Sequence, residues 1–328
     1  MIRLRVIAFA LLTATTAANP SAAQNYPDRP ITLIVPFAAG GPSDTVGRLL
    51  ADNLGRTLGQ QVIVENIGGA GGTLGAERAA KAAPDGYTLL MIHSALPASA
   101  ALYSNLRFDP RTAFEPLGLI NTGPMVLLSR KTLDTADAKA LFAWLKEQGP
   151  KATVGFAGVS SNSHICSTLL QQLLGVKLAM VPYRGTGPAM NDLVGGQIDV
   201  LCDQATTAVP QIQAGTVKAY AVTSAERLDS IKDVPSAQEA GLPDFSVTIW
   251  NAVYAPKGVP KEVIDKVNAA VNKMVSDETV VSRFAATGTW PFPPDMRTPQ
   301  AHAKFLTSEF ARFETMFKAV GIAPQEAK

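Results

Sequence analysis

Short apolar runs alternate with amphipathic stretches along most of the chain, and that alternation predicts strands followed by helices. Ile31 to Val35 is an apolar run of strand length, and Pro36 to Pro42 follows as a loop. Val46, Leu49, Leu50, Leu54 and Leu58 then recur at helical spacing, with Gly59 as a C-terminal stop. Val62 to Val64 predicts the next strand, which leads through the loop Glu65 to Gly72 into a helix starting near Thr73. Pro84-Asp85-Gly86 marks a turn before a strand over Tyr87 to Ile92.

The middle of the chain repeats the pattern. Met125 to Ser129 predicts a strand and Ala136 to Gln148 a helix. Thr153 to Phe156 predicts a strand, followed by the loop Ala157 to Asn162 and a helix through Leu174. Ala179 to Val181 is again strand-like, with Pro182 to Gly187 leading into a helix toward Gly195. Ile198 to Cys202 and Ala219 to Thr223 predict further strands, and Lys261 to Ser276 and Gln300 to Val320 predict helices. Such alternation implies an α/β fold with a mostly parallel, covered sheet, whose ligands sit beyond the carboxyl ends of the strands. Trp250 and Trp290 are expected in the core.

Composition narrows the class. The chain has 328 residues, 47% hydrophobic and 17% charged, which suits two globular domains. It has no run of like charges, so nucleic acid is not an expected partner. Arg3 and Arg5, the apolar stretch Val6 to Leu12 and the small residues Ser21-Ala22-Ala23 together read as an export signal cleaved near Ala23/Gln24. The apolar stretch is too short to span a bilayer. Removing Arg3 and Arg5 leaves 27 basic against 27 acidic residues. An anionic ligand would then be held by local dipoles, not by an overall field. Cys166 and Cys202 are the only cysteines. In an oxidising compartment such a pair favours a disulfide, with two buried free thiols as the alternative.

Four strand-to-helix loops carry candidate chemistry. The first is Pro36-Phe37-Ala38-Ala39-Gly40-Gly41-Pro42-Ser43-Asp44 and the second Glu65-Asn66-Ile67-Gly68-Gly69-Ala70-Gly71-Gly72-Thr73. The third is Gly158-Val159-Ser160-Ser161-Asn162-Ser163-His164 and the fourth Tyr183-Arg184-Gly185-Thr186-Gly187-Pro188. Helix N-termini present unpaired N–H groups and a partial positive charge, which suits a carboxylate or phosphate. One such end supplies ~0.3–2 kcal/mol through its dipole. Each hydrogen bond to a charged group adds about 1.5–3 kcal/mol. Several convergent ends therefore reach the ~8 kcal/mol of a micromolar complex, and one does not. Any single loop taken alone reads better as an N-cap with a tight turn, so the case rests on four such loops, two from each half of the chain.

Other motifs are weaker. Gly69-Ala70-Gly71-Gly72-Thr73-Leu74-Gly75 has glycines one residue too far apart for a dinucleotide fingerprint, and no P-loop occurs. His93, His164 and His302 form no helical pair, so neither a metal nor a cofactor is expected. Ser163 beside His164 invites a hydrolase reading, but no nucleophile-elbow motif surrounds them. His164 is read as a helix-start residue that bonds locally or lines a pocket. Phe37 and Tyr183 would stack on a ligand or simply pack.

Read together and in order, several stretches resemble the Bug receptors of the tripartite tricarboxylate transporter family. They are Tyr26-Pro27 with Pro30-Ile31, Val35-Pro36-Phe37 with Gly40-Gly41 and Asp44, and Glu65-Asn66 with Gly69-Ala70-Gly71-Gly72. Pro84-Asp85-Gly86-Tyr87-Thr88-Leu89, Ser163-His164, Val181-Pro182-Tyr183 and Gly195-Gly196-Gln197-Ile198-Asp199 follow, then Val234-Pro235 with Glu239 and Gly241. Ile67-Gly68 departs from the Arg-Pro usual in that family.

The resemblance implies a type II-like, two-domain periplasmic-binding-protein fold that shuts like a flytrap about crossing hinge strands. Residues 24–123 plus 228–328 would form one domain and 124–227 the other, after a leader at 1–23. Phe37, Gly41, Ser43 and Asp44 would line one wall, with Gly71, Thr73 and Ser94 beside them. Ser160, Asn162, Ser163, His164, Tyr183, Arg184, Gly185, Thr186 and Asp203 would line the other. Ser43 would contact a ligand carboxylate, Asp44 would orient its loop, and Arg184 would pair a second carboxylate or lie on the surface. The implied protein is a monomeric periplasmic receptor, not an enzyme. It would deliver a di-, tri- or aromatic carboxylate such as terephthalate to a membrane permease. A sensor component docking a membrane kinase is the alternative, with a Ser/His hydrolase behind it.

Overall fold

The computed structural model describes residues 26–319 and 323–326; the export-signal reading of residues 1–23 lies outside them. The first elements are β1 (Ile31–Val35), α1 (Pro42–Leu58), β2 (Val62–Asn66), α2 (Thr73–Ala80), β3 (Thr88–His93) and α3 (Ala95–Leu102). A long strand β4 (Phe114–Arg130) follows, then α4 (Ala138–Gln148), β5 (Thr153–Phe156), α5 (Asn162–Leu174), β6 (Ala179–Pro182) and α6 (Thr186–Val194). After these come β7 (Val200–Gln204), α7 (Ala205–Gln213), β8 (Val217–Val222) and β9 (Thr248–Pro256). The chain closes with α8 (Lys261–Val275), α9 (Glu278–Ala286), β10 (Trp290–Pro291) and α10 (Pro299–Ala319).

The strands order as β2-β1-β3-β9-β4-β7-β5-β6, with β8 and β10 also paired to β4. β1 is parallel to β2 and β3, and β5 is parallel to β6 and β7. Two parallel α/β units are thus joined by the antiparallel strands β9 and β4. The first part of β4, Phe114 to Pro124, pairs with β9. Its last part, Met125 to Arg130, pairs with β7 and β8. One strand therefore belongs to both units.

Hydrophobic packing follows the same division. Ile31, Leu33, Leu50, Leu54, Leu89, Val267 and Val271 bury the helical stripes of α1 and α8 against β1 and β3. Leu127, Leu141, Leu145, Val154, Leu170, Val200 and Phe245 form a core of the second unit, and Val126, Leu193, Leu201, Val209 and Val222 another. At roughly 25 cal/mol per Å² of buried apolar surface, each unit has a core of its own to stabilise it.

The structure departs from the sequence reading at several points. The strand read at Met125 to Ser129 is the end of a strand of 17 residues, and β9 was not read at all. Both are buried on both faces along most of their length, so no polar alternation marks their limits. α3 was missed because ALPASAAL is apolar all round, and α7 because Pro210 interrupts its pattern. Trp290 is 48% exposed, because the two-residue β10 holds it at a sheet edge, whereas Trp250 is buried and donates to Glu309 at 2.7 Å. The expected return to the first unit at residue 228 also comes too early. Leu228, Ile231, Val234, Phe245 and Val247 pack in the cores of the second unit, and the return runs along β9.

Candidate functional site

A crevice lies between the two units, lined by Phe37, Gly41, Pro42, Ser43 and His93 from the first. Met125, Ala157, Ser161, Asn162, Ser163, Thr186, Asp203 and Gln204 line it from the second. Its empty volume, mouth included, is about 290 Å³.

Four helices start at this crevice. α1 begins after Gly41, which has no side chain to cap it, with Pro42 in its first turn. α5 begins after Ser161, whose hydroxyl accepts from the His164 N–H at 3.2 Å. α6 begins after Gly185 and α7 after Gln204, neither with a side-chain cap. Among the described residues, no protein acceptor takes the N–H of Ser43, Asn162, Ser163, Thr186 or Gly187. Such first-turn N–H groups, with the dipoles behind them, make an anion site. Strand-to-helix geometry explains their convergence. β5, β6 and β7 are neighbours in one parallel sheet, so the helices that follow them all start at its carboxyl edge.

The first-unit wall is held by its own contacts. Phe37 stacks on His93 with ring centroids 4.6 Å apart. Asp44 accepts from the Gly40 N–H at 3.0 Å and from Arg48 Nε at 2.9 Å, so its carboxylate faces its own loop. Burial pushes the Asp44 carboxyl up, but the hydrogen bonds from Arg48 and Gly40 and the Arg48 charge outweigh it and leave its pKa lowered. His93 is fully buried, and desolvation pushes its pKa down to about 3. Its Nδ1 accepts from the Ala95 N–H at 3.0 Å, so the neutral ring carries its proton on Nε2.

The second wall has polar side chains without partners. Asn162 Nδ2, Thr186 Oγ1, Asp203 Oδ1 and Gln204 Oε1 are buried and unbonded. Asp203 is fully buried, and its Oδ2 accepts from the Thr207 hydroxyl at 2.6 Å. Desolvation raises its pKa, opposed by the hydroxyls of Thr186 and Thr207 and the Gln204 N–H. The Thr186 hydroxyl acts on that charge from outside hydrogen-bond geometry, which leaves both atoms unpartnered. Cys166 and Cys202 are bridged, with Cα atoms 6.2 Å apart. The bridge ties α5 to β7 beside Asp203.

The sequence candidates divide by place. Phe37, Gly41, Ser43, Asn162, Ser163, Thr186 and Asp203 line the crevice. The second loop does not; it forms a clasp between the units. A Cβ on Gly71 would stand 1.6 Å from the Val159 carbonyl oxygen. Ser160 Oγ donates to the Gly71 carbonyl at 3.5 Å. Thr73 bonds within its own turn, and Gly185 packs on Ala38. Ser94 bonds Asn162 across the gap between the units. Arg184 contributes its carbonyl, which accepts from the Ala38 N–H at 3.0 Å, while its side chain is exposed. Tyr183 turns away and donates to Asp192 at 2.6 Å.

His164 tilts against Phe156 with centroids 5.4 Å apart, and burial lowers its pKa to about 4. Ser163 Oγ accepts from the Ala157 N–H at 2.9 Å and pairs with Ser161 at 3.1 Å, so it has no histidine base. Sequence reasoning missed His93, Met125, Gln204 and the start of α7. The only available signal was that Gln204 follows the strand-like run ending at Cys202.

Comparison with known proteins extends these observations. Residues 46–322 match the family described as the tripartite tricarboxylate transporter family receptor. A protein of Agrobacterium vitis, encoded in the TAR-I ttuE-ttuC' intergenic region, is 46% identical over 312 residues, covering 95% of this chain and 90% of the relative. The structure of the periplasmic binding protein BugD is 40% identical with a TM-score of 0.88, covering 92% of this chain and all of that one (100%). MatC from Rhodopseudomonas palustris, with bound malate, is 40% identical with a TM-score of 0.85, covering 88% and 99%. The fold is thus that of a two-domain α/β periplasmic binding protein. Among the described residues no helix is long and apolar enough to cross a membrane.

Proposed function

Because this chain belongs to the tripartite tricarboxylate transporter receptor family, whose members are receptors and not enzymes, we propose that it captures a small carboxylate in the crevice and delivers it to a membrane permease. The observation that carries the reading is the convergence of four helix N-termini on one crevice, three of them with N–H groups lacking protein acceptors. Malate bound to MatC supports the ligand class.

Ligand contacts from both walls would stabilise the shut form over the open one, and only such differential contact shifts the balance. The lobes we assign are 26–123 with 250–319, and 124–249, hinged on β4 and β9. Ser43, Asn162, Ser163 and Thr186 are the residues assigned to the carboxylate. Export through the leader at residues 1–23 would put the receptor in the periplasm, where the permease is reached.

A thermal-shift screen of mono-, di-, tri- and aromatic carboxylates tests the proposal. A ligand at a hundredfold excess over Kd stabilises by ~2.7 kcal/mol. Stabilisation by sugars or metal ions alone would refute it. Copurification of tagged, ligand-loaded receptor with permease subunits tests the delivery step, and copurification with a kinase instead would refute that part.

A further inference from the structure

Asp203 is an acidic side chain in a site otherwise built for anions. It ends β7, has no exposed surface and lines the crevice. Thr207 holds its Oδ2, and Oδ1 has no partner. Among the described residues no lysine, arginine or histidine forms an ion pair with it. Gln204 Oε1 is a second unbonded acceptor on the same wall, though its amide can turn, so Asp203 carries the argument.

A ligand that offers only carboxylate oxygens satisfies the helix N–H groups and sets a second negative charge against Asp203. A ligand that also carries a donor satisfies both. The two demands meet in one crevice: Asp203 lines it beside Asn162, Ser163 and Thr186, whose first-turn N–H groups have no protein acceptor. The donor and the carboxylate must then be neighbours in the ligand as well. Thr186 Oγ1 and Asn162 Nδ2, also without partners, sit on α6 and α5 in the same crevice.

We infer that Asp203 selects acids that bear a hydroxyl or ammonium group on the carbon next to the carboxylate, accepting a hydrogen bond from that group through Oδ1. The inference rests on the carboxylate reading of the crevice and sharpens it. A site built to bond a ligand donor rejects the analogue without one, because its own acceptor is then left buried and unpaired.

The test is calorimetry on three matched series: propionate, lactate and alanine; succinate, malate and aspartate; glutarate, 2-hydroxyglutarate and glutamate. In the series that binds, the 2-hydroxy or 2-amino member is expected to bind at least about tenfold more tightly than the unsubstituted acid. Asp203→Asn should shrink that preference to about threefold or less, mainly by tightening the unsubstituted acid, because a repelling charge is gone. A merely structural aspartate would weaken all members alike.

Equal affinity of the unsubstituted and substituted acids for the wild-type receptor would overturn the assignment and leave the carboxylate reading standing. So would an undiminished preference in a folded Asp203→Asn protein. If that variant does not fold, the wild-type series decides alone. Binding of no acid in any series would overturn both readings together.

Discussion

The two walls of the crevice use polar groups differently. On the first wall Asp44 is bound through Oδ2 by Gly40 and Arg48 while its Oδ1 is buried without a partner, and what lines the gap is main chain, Ser43 and a phenylalanine–histidine stack. On the second wall four side-chain atoms, Asn162 Nδ2, Thr186 Oγ1, Asp203 Oδ1 and Gln204 Oε1, are buried without partners. Buried polar atoms without partners are costly, and a ligand in the crevice would supply the missing bonds. On the proposed reading the first wall offers a general anion contact, and the second decides which anion. The clasp, where Gly71 meets Val159, and the contact of Gly187 with Ala39 and Gly41 at the crevice edge set whether the walls meet at all.

Acid is expected to produce the largest effect, and it acts on both walls. Burial holds His93 at about 3 and His164 at about 4, against 6.5 for a free imidazole, and His302 in the first lobe lies at about 3. The unfolded chain binds these protons first. Stability therefore stays constant above about 6.5 and falls as pH drops from there through about 4 and about 3. Asp44, with its lowered pKa, adds to the loss only below the ordinary carboxylate range. Asp203, with a raised pKa, works in the opposite sense, since its folded form takes up a proton more readily. Urea melts across this range check the sign. His164→Gln should flatten the curve near its middle, and an unchanged curve would contradict the buried neutral imidazole.

The disulfide separates the walls next. It closes a separation of 36 residues within the second lobe alone. By chain entropy it contributes roughly 4 kcal/mol. Cys166→Ala with Cys202→Ala should lower the urea midpoint accordingly and loosen Asp203 and Ser163, whose elements it joins. An equal loss of affinity for all acids, with no change in stability, would argue against a purely covalent tie.

Two glycines compare clasp with wall. Gly71 and Gly40 both have left-handed backbones, with φ of 65° and 80°. A Cβ at Gly71 collides with Val159, whereas one at Gly40 meets nothing within 4 Å. Gly71→Ala is expected to cost about a hundredfold in ligand affinity, or ~2.7 kcal/mol. Gly40→Ala should pay only the shared backbone cost, which is present in the open form too and leaves affinity nearly unchanged. Small-angle scattering should show ligand-induced compaction in the second variant and not in the first.

The smallest effect is expected at Arg184. Its side chain is exposed and its carbonyl makes the contact across the gap. Arg184→Ala should leave affinity within about twofold. A large loss for di- or tricarboxylates would restore the reading in which its guanidinium pairs a second carboxylate.

Hydrophobic patterning was enough to mark β1, α1, β2, β3, β5, α5 and α8 close to their observed limits: the helices have one buried face and one wet one, and the strands are short runs bounded by turn residues. The loops after β1, β5 and β6 were legible for a related reason: glycine and serine at a strand-to-helix step can be read locally. The long strands β4 and β9 were not legible, since a segment buried on both faces has no period to show.

Residue order alone settled most of the short strands and their following helices, and the turns before α1, α5 and α6 that leave N–H groups free. It also carried the family, through many small matches in a fixed order. Tertiary contact decided which turns share a crevice. It moved the glycine loop before α2 to a clasp, set Tyr183 on Asp192, and brought in His93, Gln204 and the start of α7. It also left Asp203 buried with no cation. The reason is that period and capping report on neighbours along the chain, whereas the pairing of a buried charge depends on groups that only folding brings near.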